Sequence, residues 1–193
     1  GAYHYAMQFS GGQWSVLEPT TAHLECVALS SRDNGWAVGA RVILRMIGGK
    51  WQTVANPIPY ANYKGVALSG PADGWIVGDQ GRILRLSAGV ATQVASPTSN
   101  ELTDVALSGP NTGWAVGLNG AILRLNAGVW SVVASPSPGR LDTVALSGPN
   151  DGWASGSYGP LLRLAGGAWG KLDTNKRYSD IALRGAADGW GVG

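Results

Sequence analysis

Apolar residues in this chain come in runs of four to seven, rich in Val, Ile, Leu and Trp, and Gly, Asn, Asp and Pro cut the runs apart. Residues 102–134 show the pattern: LTDVALS, a GPNTG break, GWAVG, a short LNG, AILRL, NAG, then VWSVVA. Such runs predict short antiparallel strands joined by tight hairpins. No segment of ten or more positions carries a 3.6-residue apolar period, so the chain reads as all-β.

The pattern repeats. Trp36, Trp75, Trp114 and Trp153 stand 39 residues apart and Trp190 follows 37 later, each in a pentad of the GWAVG kind at 35–39, 74–78, 113–117, 152–156 and 189–193. VALS, or IALR at 181–184, precedes each pentad. Four strands per unit of about 40 residues predicts a β-propeller blade, which buries its faces only against neighbouring units. The Asn34, Asp73, Asp151 and Asp188 positions, each followed by Gly, suggest positive-φ hairpin turns before the tryptophan. Thr112 stands at that place in the third copy.

The chain ends on a unit with two of its four strands, and it opens with AMQFSGGQWSVL at 6–17, which matches LLRLAGGAWGKL at 161–172 in pattern. The expectation is a single domain, a monomeric five-bladed ring closed by a two-plus-two clasp that protects the strand edges. Its blades are 20–58, 59–98, 99–137, 138–175, and 176–193 plus 1–19. A piece of a longer array, or a ring assembled between chains, is the alternative.

Charged residues make up 13% of the chain, about half the share usual for soluble domains, while glycine reaches 30 residues. Net charge is +2 with no Lys/Arg block, which argues against a nucleic-acid partner. No apolar run is long enough to span a membrane, and no signal peptide is present, although a mature secreted product would look the same. The single cysteine, Cys26, precedes an apolar strand and reads as a small buried hydrophobe.

The string GWAVGxxGxILRL, followed by a glycine turn and Trp, resembles the repeat of photosystem II stability/assembly-factor-like propellers, a branch related to Asp-box (BNR) repeats. The resemblance covers essentially the whole chain. Where an Asp-box turn carries Ser-x-Asp-x-Gly-x-Thr-Trp, this chain has SGGQW at 10–14, GGKW at 48–51, SAGVA at 87–91, NAGVW at 126–130 and AGGAW at 165–169. The Asp is gone from every copy, and Ala91 replaces one Trp. The resemblance implies a protein-interaction scaffold.

Catalytic chemistry has little to build on. His4 and His23 are the only histidines, with no acidic cluster or nucleophile motif beside them, so no metal site, cofactor or catalytic residue is expected. Arg45, Arg85, Arg124 and Arg163 recur at one strand position; this regularity suggests that each stacks on a tryptophan or pairs with a turn acid. A sialidase-like glycoside hydrolase is the least favoured alternative. The pentad tryptophans read as wedges between blades. The second set, Trp14, Trp51, Trp130 and Trp169, reads as cover for the blade rim. Five equivalent sugar-stacking sites between blades would make the chain a multivalent lectin.

Two hairpin turns look alike in every copy and should share one end of the ring. The divergent connections should share the other: 18–24, 55–64, 95–102, 134–141 and 172–179 between blades, and 40–42, 79–82, 118–121, 157–160 and 1–5 within them. Loops on a rigid scaffold carry function, and aromatic and basic residues gather on some of these. They are Tyr3, His4, Tyr5, Tyr158, Lys176, Arg177 and Tyr178 at the closing blade, and Tyr60, Asn62, Tyr63 and Lys64 two blades on. The reading is a non-catalytic binding propeller, extracytoplasmic or secreted, that takes a protein partner on this face, with glycan recognition as the alternative.

Overall fold

In the computed structural model, residues 7–10, 12–16, 23–156, 160–172 and 178–193 are described. They form an all-β chain. Sheet 1 runs β3 (Leu24–Ser31), β4 (Asn34–Gly39), β5 (Val42–Ile47) and β6 (Lys50–Thr53). Sheet 2 follows with β7 (Tyr63–Gly70), β8 (Asp73–Gly78), β9 (Ile83–Ser87) and β10 (Val90–Val94). Sheet 3 has β11 (Leu102–Gly109), β12 (Thr112–Gly117), β13 (Ile122–Asn126) and β14 (Val129–Val132). Sheet 4 has β15 (Thr143–Gly148), β16 (Asp151–Ser155), β17 (Leu161–Ala165) and β18 (Ala168–Leu172). Two hairpins stand as separate two-stranded sheets, β1 (Met7–Ser10) with β2 (Gln13–Val16) and β19 (Asp180–Gly185) with β20 (Asp188–Val192).

All pairing is antiparallel, and each sheet is a meander of successive strands. The first strands β3, β7, β11, β15 and β19 lie side by side in sequence order, so each sheet packs on the next. Turn chemistry differs from the sequence expectation at one point. Gly74 and Gly113 lie inside strands and lack positive φ; a Cβ there would fall 2.3 Å from the Ala67 carbonyl oxygen and 2.5 Å from that of Ala106. Glycine is required at those places by close backbone approach beside a β-bulge. Positive-φ pairs sit instead between third and fourth strands, as at Ala88–Gly89 (φ 49° and 81°) and Ala127–Gly128 (φ 49° and 81°), the signature of a type I′ hairpin, and between second and third strands at Gln80–Gly81 and Asn119–Gly120.

The core lies in the seams between sheets. Trp36, Val38 and Ile43 of sheet 1 pack on Val66, Ile76 and Leu84 of sheet 2. Trp75, Val77 and Ile83 then meet Val105, Leu123 and Trp130, and Trp114, Val116 and Ile122 meet Val144, Leu162 and Leu164. Each fully buried large side chain contributes roughly 1.5–3 kcal/mol. The recurring Val of the first strand shows what a seam does: Val66, Val105 and Val144 are 5% exposed, whereas Val27 is 59% exposed. At the other extreme of the array Trp190 is 81% exposed.

Candidate functional site

The backbone sorts the connections into two ends. At one end each third-to-fourth turn donates an amide to the first-to-second turn of its own sheet: Gly49 to Asp33 O, Gly89 to Ala72 O, Gly128 to Asn111 O and Gly167 to Asn150 O, at 3.0–3.2 Å. At the opposite end the divergent loops tie to one another. Ala40 N donates to His23 O, Asp79 N to Asn62 O and Leu118 N to Glu101 O, all within 2.8–3.0 Å. The uniform turns and the divergent loops therefore occupy separate ends, as their sequence patterns imply.

On the divergent end, the loop between sheets 1 and 2 is built around Asn56. Its Oδ1 accepts from Ile58 N at 3.0 Å and from the Tyr63 hydroxyl at 2.6 Å, while its Nδ2 donates to the Arg41 carbonyl at 3.5 Å. Arg41 N in turn donates to Ala61 O at 3.0 Å. These bonds hold Arg41 and Tyr60 in the left-handed region, φ 64° and 65°. Such positions are costly for residues with a Cβ and cluster at binding and switch sites. The product is an exposed pair: Tyr60 is 75% exposed and the Arg41 guanidinium carbon lies 5.2 Å from its ring centre. A cation over a tyrosine face is worth about 0.5–1 kcal/mol at an exposed site.

Tyr63, expected as a contact residue, is instead fully buried. It opens strand β7, and its ring joins the first seam. Burial, with a smaller contribution from Asp79 opposed by Arg82, pushes its phenol up to about 12. Tyr63 is therefore a support of the site and has no surface for a partner.

Asn62 turns toward Asp79: its N–H and its Nδ2 both donate to the Asp79 carboxylate at 3.3 Å. Arg82 Nη1 completes the cluster at 2.5 Å from Asp79 Oδ1, with Nη2 on Gln80 Oε1 at 2.9 Å. Lys64 reaches Glu25 on the preceding sheet at 2.9 Å, and His23 Nδ1 lies 3.3 Å from the same oxygen. Asn62 and Lys64 thus bind loops and sheets together at the rim of the Tyr60 site. Tyr178 is half-buried, and its carbonyl accepts from Ser155 Oγ at 3.0 Å. Tyr3, His4, Tyr5, Tyr158, Lys176 and Arg177 lie outside the described residues.

The centre of the array holds a second polar group. Asp104 accepts from Val105 N and from Val144 N of the next sheet, each at 2.8 Å. Thr143 Oγ1 donates to Asp180 Oδ1 at 3.1 Å. Desolvation, aided by the nearby Asp180 charge and opposed by these backbone bonds, pushes the Asp104 carboxyl up to about 6. Cys26 is a free, half-buried thiol whose burial raises its pKa. Among the described residues no group of three or more His, Cys, Asp or Glu is placed to hold a metal ion.

The repeated arginines behave as their regularity suggests. Arg45, Arg85, Arg124 and Arg163 lie over Trp36, Trp75, Trp114 and Trp153 at 4.8–5.6 Å, and Arg163 also binds Asp151 at 2.7 Å. Hydrogen bonds from Arg163, then one from Ser147, hold the Asp151 carboxyl below its usual range. The second tryptophan set differs from expectation. Trp130 and Trp169 enter the seams and meet Trp75 and Trp114 of the preceding sheet edge to face, Trp130 as core and Trp169 partly buried against it. Trp36, Trp75 and Trp114 are at most 2% exposed, so their indole faces are not open to a sugar ring.

No protein-family model and no curated protein sequence matches the chain. Solved structures do resemble it. YCF48 bound to D1 peptide aligns at TM-score 0.52 and 16% identity, over 90% of this chain and 91% of that one. YCF48 from Cyanidioschyzon merolae aligns at TM-score 0.66 and 21% identity, over 93% of this chain and 63% of that one. The WD40 β-propeller domain of Doa1 aligns at TM-score 0.68 and 8% identity, over 89% and 62%. The chain spans under two thirds of the length of these last two. At such identities the likeness concerns the fold, and the chain has the fold of the YCF48-like β-propellers.

Proposed function

We propose that the chain is a non-catalytic binding propeller that takes a protein partner on its divergent-loop face. The observation that carries this reading is the Tyr60–Arg41 pair, an exposed aromatic and a cation fixed on left-handed backbone by the Asn56 hydrogen bonds. Tyrosine and arginine are the residues on which protein interfaces concentrate their energy, and fixing them before contact lowers the entropic cost of binding. That a structural neighbour is YCF48 bound to D1 peptide supports a protein ligand over a small molecule. Affinity capture from the source cell with the intact chain and with Tyr60→Ala tests it. The expected result is one or few proteins retained by the former and lost from the latter, with unfolding stability unchanged to about 0.5 kcal/mol. Saturable binding of a simple sugar at several equivalent sites would favour a lectin instead.

The ring itself is part of the proposal. The exposed face of Trp190 and the exposed face of Val27 correspond to the two halves of the seam used between sheets 1 and 2, 2 and 3, and 3 and 4. Beside Trp153 a slot of 330 Å³ opens against Tyr178 and Trp190, at the place that Trp130 and Trp169 fill in the two preceding seams. Seating β1–β2 against β20 would bring Trp14 to that slot and complete a fifth blade, and closing the fifth blade on the first would cover both faces.

A further inference from the structure

A groove of 450 Å³ crosses the divergent end of blade 3. Its walls are the two connections flanking that blade. Thr98 and Asn100 come from the one before it, and Ser135, Ser137 and Pro138 from the one after. The floor is Asn119–Ala121, with apolar side chains such as Ile122 and Val133 beneath. Both walls are stiffened by internal bonds. Ser96 Oγ donates to Thr98 O at 3.1 Å and Asn100 N to Thr98 Oγ1 at 3.1 Å; Ser135 Oγ donates to Ser137 O at 2.7 Å.

Blade 2 differs from blade 3 at this turn. The two turns superpose in sequence as GWIVGDQGRILRL and GWAVGLNGAILRL. Gln80 and Asn119 occupy the same left-handed position, φ 53° and 57°. Where blade 2 has Asp79 and Arg82 joined by an ion pair, blade 3 has Leu118 and Ala121. Blade 2 carries the long, ion-paired Arg82 where blade 3 carries the methyl group of Ala121, which lines the groove.

The chemistry of the lining selects the occupant. None of its residues is charged, which disfavours an ionic ligand, and none is aromatic, which removes the stacking face a sugar would need. Asn119 Nδ2 donates to Asn100 Oδ1 at 3.1 Å, which leaves the Asn119 carbonyl oxygen and the Asn100 amide hydrogens for a ligand. One acceptor beside one donor is what a single peptide unit offers in reverse. The volume lies within the range of about 300–1,000 Å³ usual for ligand sites.

We infer that this groove seats an extended, uncharged peptide segment of the protein partner, held through its backbone by the Asn100–Asn119 amide pair. The inference rests on the protein-binding reading above and locates a second contact for the same face, away from Tyr60. The test uses the full chain to select binders from a displayed library of random dodecapeptides, followed by titration of the enriched peptides as labelled synthetic compounds. Three variants are compared with wild type. Ala121→Arg restores the blade 2 residue and fills the groove, Asn119→Gly removes the amide while keeping the left-handed turn, and Tyr60→Ala leaves the groove intact.

The expected peptides are poor in Lys, Arg, Asp and Glu. They should bind at least ten-fold more weakly to Ala121→Arg and to Asn119→Gly, and equally well to Tyr60→Ala. Unchanged affinity for both groove variants overturns the inference, as does a failure to enrich any peptide. Peptides lost with Tyr60→Ala alone overturn the groove and keep the protein-binding reading. Should Ala121→Arg unfold, Asn119→Gly decides alone, since glycine adopts that turn without strain.

Discussion

Trp75 and Trp130 meet edge to face across the seam between blades 2 and 3, with ring centres 5.5 Å apart and planes at 89°. Trp114 and Trp169 repeat the relationship one seam on, at 5.4 Å and 88°. An inner-strand indole of one blade is thus capped by the outer-strand indole of the next. In the first seam Ala91 takes that place opposite Trp36.

The indole cap predicts a large loss on truncation. Trp130→Ala should lower unfolding stability by about 3–5 kcal/mol, the cost typical of removing a buried aromatic side chain. Trp130→Phe should recover part of this by keeping an aromatic edge. Denaturant titration of the two variants is the check, and a cost below 1 kcal/mol for the alanine variant contradicts the packing described.

Tyr63→Phe should cost about 1–3 kcal/mol, because it leaves the Asn56 carbonyl with one partner fewer in a half-buried site. The same substitution should remove a tyrosine that ionises at about 12 from an ultraviolet pH titration. Loss of a tyrosine that ionises near 10 would mean that this ring is more exposed than described.

Asp104 carries a pH dependence of definite sign. Its folded pKa is about 6 against an ordinary 3.8, so folding takes up a proton between those values. For such a group the folded state is least penalised below about pH 4 and loses stability as pH rises toward 6, by an amount on the order of 3 kcal/mol. Stability measured from pH 4.5 to 7 should therefore fall more in the wild type than in Asp104→Asn. The opposite difference would show that the carboxylate is better solvated than its surroundings imply.

The proposed clasp predicts that Trp14→Ala, which would leave the slot beside Trp153 unfilled, destabilises the chain to a degree comparable with Trp130→Ala. Removal of residues 1–17 should strip most cooperative stability. A truncated chain that melts like the full one would rule out seating of β1–β2 on the last blade.

The strand grammar was legible because it repeats: VALS, GWAVG and ILRL fall on β11, β12 and β13 and on their counterparts. The all-β class and the separation of uniform from divergent ends follow from that regularity. Tyr63 shows how the same regularity went unused. It stands where three other repeats have Leu24, Leu102 and Leu141, and the last two are fully buried, so its alignment and not its aromatic ring told where it goes. Asn56, Arg41 and the Asp79–Arg82 pair left no sequence signal. Their roles depend on left-handed turns and on contacts between loops 15 and 17 residues apart, which no local pattern encodes. The burial of Trp130 was not legible, because period-2 alternation gives the face of a strand but not which neighbouring sheet covers it.

At the divergent end, the bonds that join one loop to the next are largely made by main-chain amides and carbonyls, as between Ala40 and His23, Asp79 and Asn62, and Leu118 and Glu101. Such bonds form whatever side chain the residue carries. The residues at these joints are accordingly Ala, Asp and Leu on one side and His, Asn and Glu on the other, within a single molecule. In blades 2 and 3, where Gln80 and Asn119 share one left-handed turn, this makes the end of the blade a socket of like backbone shape whose chemistry can be exchanged one position at a time. New specificity could then be written onto one blade without renegotiating the fold of its neighbours.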